Sequence, residues 1–303
     1  SLNGALNITN VQDQWKYKVN IDELTGTGSL TMGSTNNKPS QVNIDKLSDY
    51  TGALSVSGTD STLNIKGDSS AAISGISISG GTINFAASGV SLTGAIDMSN
   101  GSNINFKLKD DAEATSYTIT ELKTSSNAVF NRNVTIYSGV TVNATTLNNG
   151  WGMGTLDVDG TLNVSGVLKF ATGAQNSGTN SITGNGTITV GSAEFSNWGS
   201  YDISVKELIV NGAMTLSADW YDKNTNLTGG HLIVKGALTM SDNDSSVRYL
   251  NISGGSLELQ GGGNVSGRGQ LKLSDTGSLV QQGGTTTISN TFAMTGGLLD
   301  VQG

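Results

Sequence analysis

Apolar residues along the chain come in short alternating bursts: Leu54-Ser55-Val56, Leu63-Asn64-Ile65, Ile83-Asn84-Phe85, Leu156-Asp157-Val158, Leu162-Asn163-Val164 and Ile188-Thr189-Val190. Each burst covers a few residues and ends at Gly, Asn or Asp. A period of two over so short a span predicts half-buried strands separated by tight turns. A flexible linker of similar Gly, Ser and Asn content has no such order, so the alternation argues against disorder.

The bursts themselves repeat. Residues Leu208 to Leu216 and Leu232 to Met240 differ only at Asn211/Lys235, Met214/Leu238 and Leu216/Met240. Related text returns around Leu250 to Leu259, Leu271 to Leu279 and Phe292 to Val301. Taking Val210, Val234, Ile252, Leu273 and Met294 as equivalent gives steps of 24, 18, 21 and 21 residues. Such a period, with two or three strands and no helix inside it, predicts a β-solenoid. A single coil cannot bury its own apolar edge; coils stacked ~4.8 Å apart share one narrow core. Glycine between bursts supplies the positive φ that turns the corner. A propeller blade repeats at ~40–45 residues and a sandwich lacks self-similarity, so both fit less well. The expected fold is an all-β, single-stranded parallel β-helix of about 18–24 residues per coil, forming one domain over residues 1–303. Right-handedness is taken from the prevalence of that hand among coils of this size.

Two regions depart from the period. No glycine occurs between Gly101 and Gly139, a stretch carrying Lys107, Lys109, Asp110, Asp111 and Glu113. Its longer alternations, Tyr117 to Leu122 and Val129 to Tyr137, point to wider coils or an inserted hairpin over 102–150. Residues 1–50, with Trp15 to Val19 and the sole proline Pro39, are the candidate N-terminal cap, which would cover open strand edges.

Composition narrows the chemistry. There is no cysteine, which removes disulfides, thiolate metal sites and cysteine nucleophiles. The formal net charge of −8 disfavours binding to nucleic acid, which needs clustered Lys and Arg. No apolar run approaches the ~18 residues of a membrane helix, and no basic segment precedes an apolar one at the N-terminus. The chain therefore reads as a mature chain or a trimmed piece of a longer one.

With the repeat established, segments such as Leu24-Thr-Gly-Thr-Gly-Ser-Leu-Thr-Met32, Tyr50-Thr-Gly-Ala-Leu-Ser-Val-Ser-Gly58 and Gly160-Thr-Leu-Asn-Val-Ser-Gly166 resemble the β-strand repeats of bacterial autotransporter passengers. The likeness runs over most of the chain. It implies a right-handed β-helix displayed on, or released from, a Gram-negative cell surface, most often as an adhesin or self-associating factor. The family's membrane-spanning β-barrel is missing from these residues, so any membrane attachment would run through a segment outside this sequence.

Catalytic candidates are few. Gly67-Asp68-Ser69-Ser70 matches three of the four positions of a Gly-Asp-Ser-Gly protease motif, but the only histidine, His231, lies far downstream of it. A chymotrypsin-like order needs the histidine upstream. A lone histidine makes neither a triad nor a zinc site. Asp157 and Asp159 alternate on one strand, with Cβ atoms ~7 Å apart if both point outward, a spacing open to paired carboxylates in a polysaccharide lyase or hydrolase. Two solvated carboxylates are the plainer reading. Asp242-Asn243-Asp244-Ser245 begins like a calcium loop but has Val247 where that loop needs glycine and lacks its closing glutamate. No catalytic residue, metal ligand or cofactor is assigned.

Aromatic residues carry the binding expectation. Trp151, Trp198, Tyr201, Trp220 and Tyr221 sit in polar, turn-like text, and Trp198 and Trp220 are 22 residues apart, about one coil. Equal phase on a solenoid means one edge, where exposed rings beside Asp, Asn and Ser would stack on sugars. Packing under corner loops is the structural alternative. Asn-x-Ser/Thr sequons recur, and Asn163 and Asn251 are read as outward strand residues rather than glycan acceptors. The function expected is a non-enzymatic, extracellular adhesin binding glycans or host matrix, or associating with itself. A polysaccharide-acting enzyme is the alternative, and a structural stalk the third reading.

Overall fold

The alternating bursts form strands, and the buried apolar residues take every second position along them. The computed structural model describes residues 1–10, 17–34, 40–99, 101–124, 132–149, 154–172, 179–197, 200–218, 223–242, 247–266, 268–289 and 291–302. Among these the chain is all-β without a helix, and every strand pairing with an assigned register is parallel. The strands stack as a β-solenoid. By its contacts the chain divides into two compact units, Ser1–Thr145 with Asp159–Leu162, and Thr146–Val158 with Asn163–Gly303.

In the first unit, Val42, Leu63, Ile83, Ile104 and Val134 lie in register from coil to coil, and so do Ile44, Ile65, Phe85, Phe106 and Ile136. All ten are buried. Each such side chain contributes roughly 1.5–3 kcal/mol on leaving water. Columns arise because the same two inward positions recur in each coil, so like residues land on like. Phe85 and Phe106 stack at 5.7 Å between centroids, and Tyr117 leans against both. The coil holding the glycine-free stretch is wide: Asn133 lies in register with Asn103, 30 residues back, whereas Asn84 follows Asn64 by 20. Trp15, Pro39 and residues 125–131 are outside the described residues.

Tyr117 shows how a polar tip is carried into this core. Its hydroxyl donates to the Lys107 carbonyl at 2.8 Å and accepts from the Ala87 N–H at 3.1 Å. Burial pushes its phenol up to about 12, against a smaller downward pull from the Ala87 hydrogen bond. Folding thus favours the neutral phenol. That stability is fully present below an unfolded pKa of about 10 and is lost as pH climbs through the folded value. In a spectrophotometric titration of the folded protein, the difference between the parent and Tyr117→Phe should be a phenol ionising near the folded value. A difference titrating at the ordinary tyrosine value would refute this burial.

From Glu207 onward the second unit has three strands per coil, whereas the single strand Thr187–Asn197 pairs with the first two of them. Leu208, Leu232, Leu257 and Leu279 form one buried column, which Leu299 continues in register as an exposed last member. Leu216, Met240, Val265 and Ile288 form another on the next side, and Leu227, Ile252 and Leu273 a third, which the exposed Met294 continues in register. The near-identical segments 208–216 and 232–240 do stack in register, as their text predicts. The longer series does not hold. Val234 pairs with Leu259, not Ile252, and Ile252 pairs back to Leu227. The 18-residue step from Val234 to Ile252 is therefore a change of side within the molecule, not a short coil. Three sides built from the same polar–apolar alternation read alike, and only whole-coil pairing separates them.

Gly230 turns the corner into the strand His231–Val234 with φ of 69°. A Cβ there would run into the Val205 carbonyl of the coil below. Glycine is thus required both for the backbone angle and for the close approach of coils.

Candidate functional site

Of the five aromatics expected on a sugar-binding edge, only Tyr201 is described, and its position corrects the expectation. It lies in the strand Ser200–Ile203, fully buried. Its ring packs against Phe195 at 5.0 Å and Phe170 at 6.0 Å, with the Arg248 guanidinium 5.3 Å from its centroid. Its hydroxyl donates toward the carbonyls of Phe170 and Ser196 at 3.1 and 3.0 Å. The alternation explains the outcome: Tyr201 and Ile203 share the inward parity of that strand, while Ser200 and Asp202 point out. Trp151, Trp198, Trp220 and Tyr221 lie outside the described residues.

The other sequence candidates have ordinary partners. Ser69 Oγ accepts from the Leu47 N–H, and Ser70 Oγ accepts from the Asp49 N–H while donating to the Asp49 carboxylate. Among the described residues neither serine has a histidine partner. Asp68 takes hydrogen bonds from Lys109 and from Ser88, and these hold its carboxyl below the usual range, Lys109 being the larger influence. Asp157 accepts from the Thr183 hydroxyl at 2.9 Å. Asp159 donates its backbone N–H to the Ile136 carbonyl. His231 Nε2 lies 3.2 Å from Glu258 Oε2, and Gln260 donates to the other oxygen of that carboxylate at 2.7 Å. Residues 243–246 of the calcium-like segment are outside the described residues.

The outward positions hold a feature that the sequence reading missed. In the first unit Asn43 donates to Asn20, Asn64 to Asn43, Asn84 to Asn64 and Asn105 to Asn84, at 2.7, 2.8, 2.8 and 2.8 Å. Five amides thus run up one side, each set between two inward apolar residues. Gln41, Thr62, Thr82, Asn103 and Asn133 form the neighbouring outward column, two residues away along each strand. The signal was present as Val19-Asn-Ile21, Val42-Asn-Ile44, Leu63-Asn-Ile65, Ile83-Asn-Phe85 and Ile104-Asn-Phe106. Apolar alternation alone does not show it, because the ladder depends on which outward residues fall in register. A primary amide offers two N–H donors and one oxygen with two lone pairs. The ladder uses one donor and one lone pair of each interior member; Asn43 accepts a second hydrogen bond from Gln41 at 3.1 Å.

The second unit carries a shorter ladder, Asn226 donating to Asp202 at 2.7 Å and Asn251 to Asn226 at 2.8 Å. Asn163 and Asn251 each stand between buried apolar residues, which confirms them as outward strand positions. Beside this ladder, on the same side, Asn224, Tyr249 and Gln270 form a second outward column. Tyr249 is half-buried, and the Lys272 ammonium sits 4.1 Å from its ring centroid. It is an aromatic on an outward sheet position rather than at a corner.

Compared with protein-family models, with curated proteins and with solved structures, the chain gives no match.

Proposed function

We propose that this chain is an exported, non-enzymatic β-helical passenger of a bacterial surface that acts as an adhesin toward glycans or host matrix. The observation that carries the reading is the pair of outward polar columns in the first unit, where amides and hydroxyls recur coil after coil at ~4.8 Å. A repeating line of donors and acceptors suits an extended, hydroxyl-rich ligand better than a single small molecule, which favours a concave pocket. The acidic, cysteine-free composition agrees with an exported surface protein.

The test is a glycan and matrix-protein array with the intact chain and a Trp198→Ala/Trp220→Ala variant, with reducing ends assayed on every bound sugar. Binding without product release is the expected result. Release of new reducing ends would replace the adhesin with a polysaccharide-acting enzyme. Binding to neither glycan nor matrix would remove the reading and leave self-association, read by concentration-dependent sedimentation, or a stalk. Loss of binding in the double variant would place the contact at the two tryptophans.

A further inference from the structure

The Tyr249 patch of the second unit has unused bonding capacity, and its pattern is specific. In register across three coils stand Asn224, Tyr249 and Gln270 in one outward column and Asn226, Asn251 and Lys272 in the next. Asn251 is engaged, donating to Asn226 at 2.8 Å and to Asn224 at 3.2 Å. Among the described residues, by contrast, the Tyr249 hydroxyl and the Gln270 amide make no hydrogen bond, and Lys272 makes no ion pair. The Lys272 ammonium is instead held over the face of Tyr249. A lone ammonium without a carboxylate, on a chain of net charge −8, is a local exception to the charge of the molecule.

We infer that this patch binds a carboxylated pyranose, the carboxylate pairing with Lys272 and the sugar lying across Tyr249 between the amides of Asn224 and Gln270. The assignment rests on the adhesin reading and gives it a site and a ligand class. Each element has a chemical reason. The C–H surface of a pyranose packs against an aromatic ring, while the phenol hydroxyl and amides serve its hydroxyl groups. A charge-assisted bond to the ammonium selects the acid over its neutral analogue. One ammonium among neutral amides pairs with one isolated anionic group rather than with a densely sulfated chain, which needs clustered cations. The ligand therefore carries isolated carboxylates, as in a uronic acid or a terminal sialic acid.

The experiment measures affinity of the intact chain for hyaluronan oligosaccharides and for sialyllactose, each beside its carboxyl-reduced counterpart. We expect at least one acid to bind about tenfold more tightly than its reduced form, equivalent to ~1.4 kcal/mol. The acid that shows the preference identifies the source. Lys272→Gln should bring the two forms within about twofold of each other, and Tyr249→Leu should weaken both. Both side chains point outward, so thermal melts of the variants should match the parent. Tyr249→Phe, which keeps the ring, guards against a folding failure in the leucine variant and should retain most of the affinity. Equal affinity for acid and reduced form in the parent overturns the inference. So does a preference that survives Lys272→Gln. If the variants bind as the parent does, the patch is wrong while the adhesin reading stands. If the parent binds no glycan of any kind on the wider array, the glycan arm of that reading falls along with the patch.

Discussion

Tyr201→Ala is expected to destabilise the second unit by about 3–5 kcal/mol, the range for deleting a large buried aromatic. The side chain is fully buried, fills the space between Phe170 and Phe195, and lies under Arg248. Tyr201→Phe keeps the ring but removes the donor shared by the Phe170 and Ser196 carbonyls. It should cost about 1–3 kcal/mol, the desolvation cost of leaving a buried polar group unpaired. Urea unfolding followed by far-UV circular dichroism measures both. A loss under about 1 kcal/mol for the alanine variant would contradict the buried position and return Tyr201 to the candidate binding edge. Any fall in ligand binding by these variants should track the fraction unfolded.

Gly230→Val carries the other large expected effect. A β-branched residue at φ of 69° is strained, by roughly 1–2 kcal/mol for the left-handed region alone. The Cβ would also overlap the Val205 carbonyl, so the two coils must separate locally and their ladder hydrogen bonds weaken. The sum should exceed about 3 kcal/mol, with accelerated amide exchange in the strands Glu207–Val210 and His231–Val234. Gly75→Ala is the matched control. Gly75 has no positive φ, and a Cβ there would meet nothing nearer than the Ala95 carbonyl at 3.8 Å. Alanine should stabilise by about 0.5–1 kcal/mol, since it restricts the unfolded chain. Equal effects at the two sites would show that coil approach at Gly230 is not what glycine serves.

These sites mark how far the sequence could be read. The strand bursts, their inward parity, the parallel stacking and the glycine corners follow from period-two alternation and from one good internal match, Leu208 to Leu216 against Leu232 to Met240. The coil register beyond that match did not follow. Ile252 has the same local text as Leu259, and only the pairing partners, Leu227 and Val234, distinguish them. Tyr201 was misplaced for a related reason: the neighbouring Asn, Gly and Ser suggested a loop, while its parity with Ile203 placed it inside. Tyr249 alternates with the buried Arg248 and Leu250, which marks it as outward in the sequence itself. The asparagine ladder needed attention to polar positions as a series. That Lys272 makes no ion pair among the described residues becomes apparent only when neighbouring coils are brought together.

The pairing of each strand with a coil 20 to 30 residues away has an evolutionary consequence. Positions such as Val210 and Val234 are interchangeable joints. A gene that duplicates or excises the segment between two such joints inserts or removes one complete turn and leaves every column continuous. Excision between unmatched points, Val234 to Ile252 for example, would leave a turn lacking two of its three sides. Descendants of this chain can therefore change in reach by whole turns while keeping the same packing rules, and the number of turns should vary among them more readily than the residues that line each column.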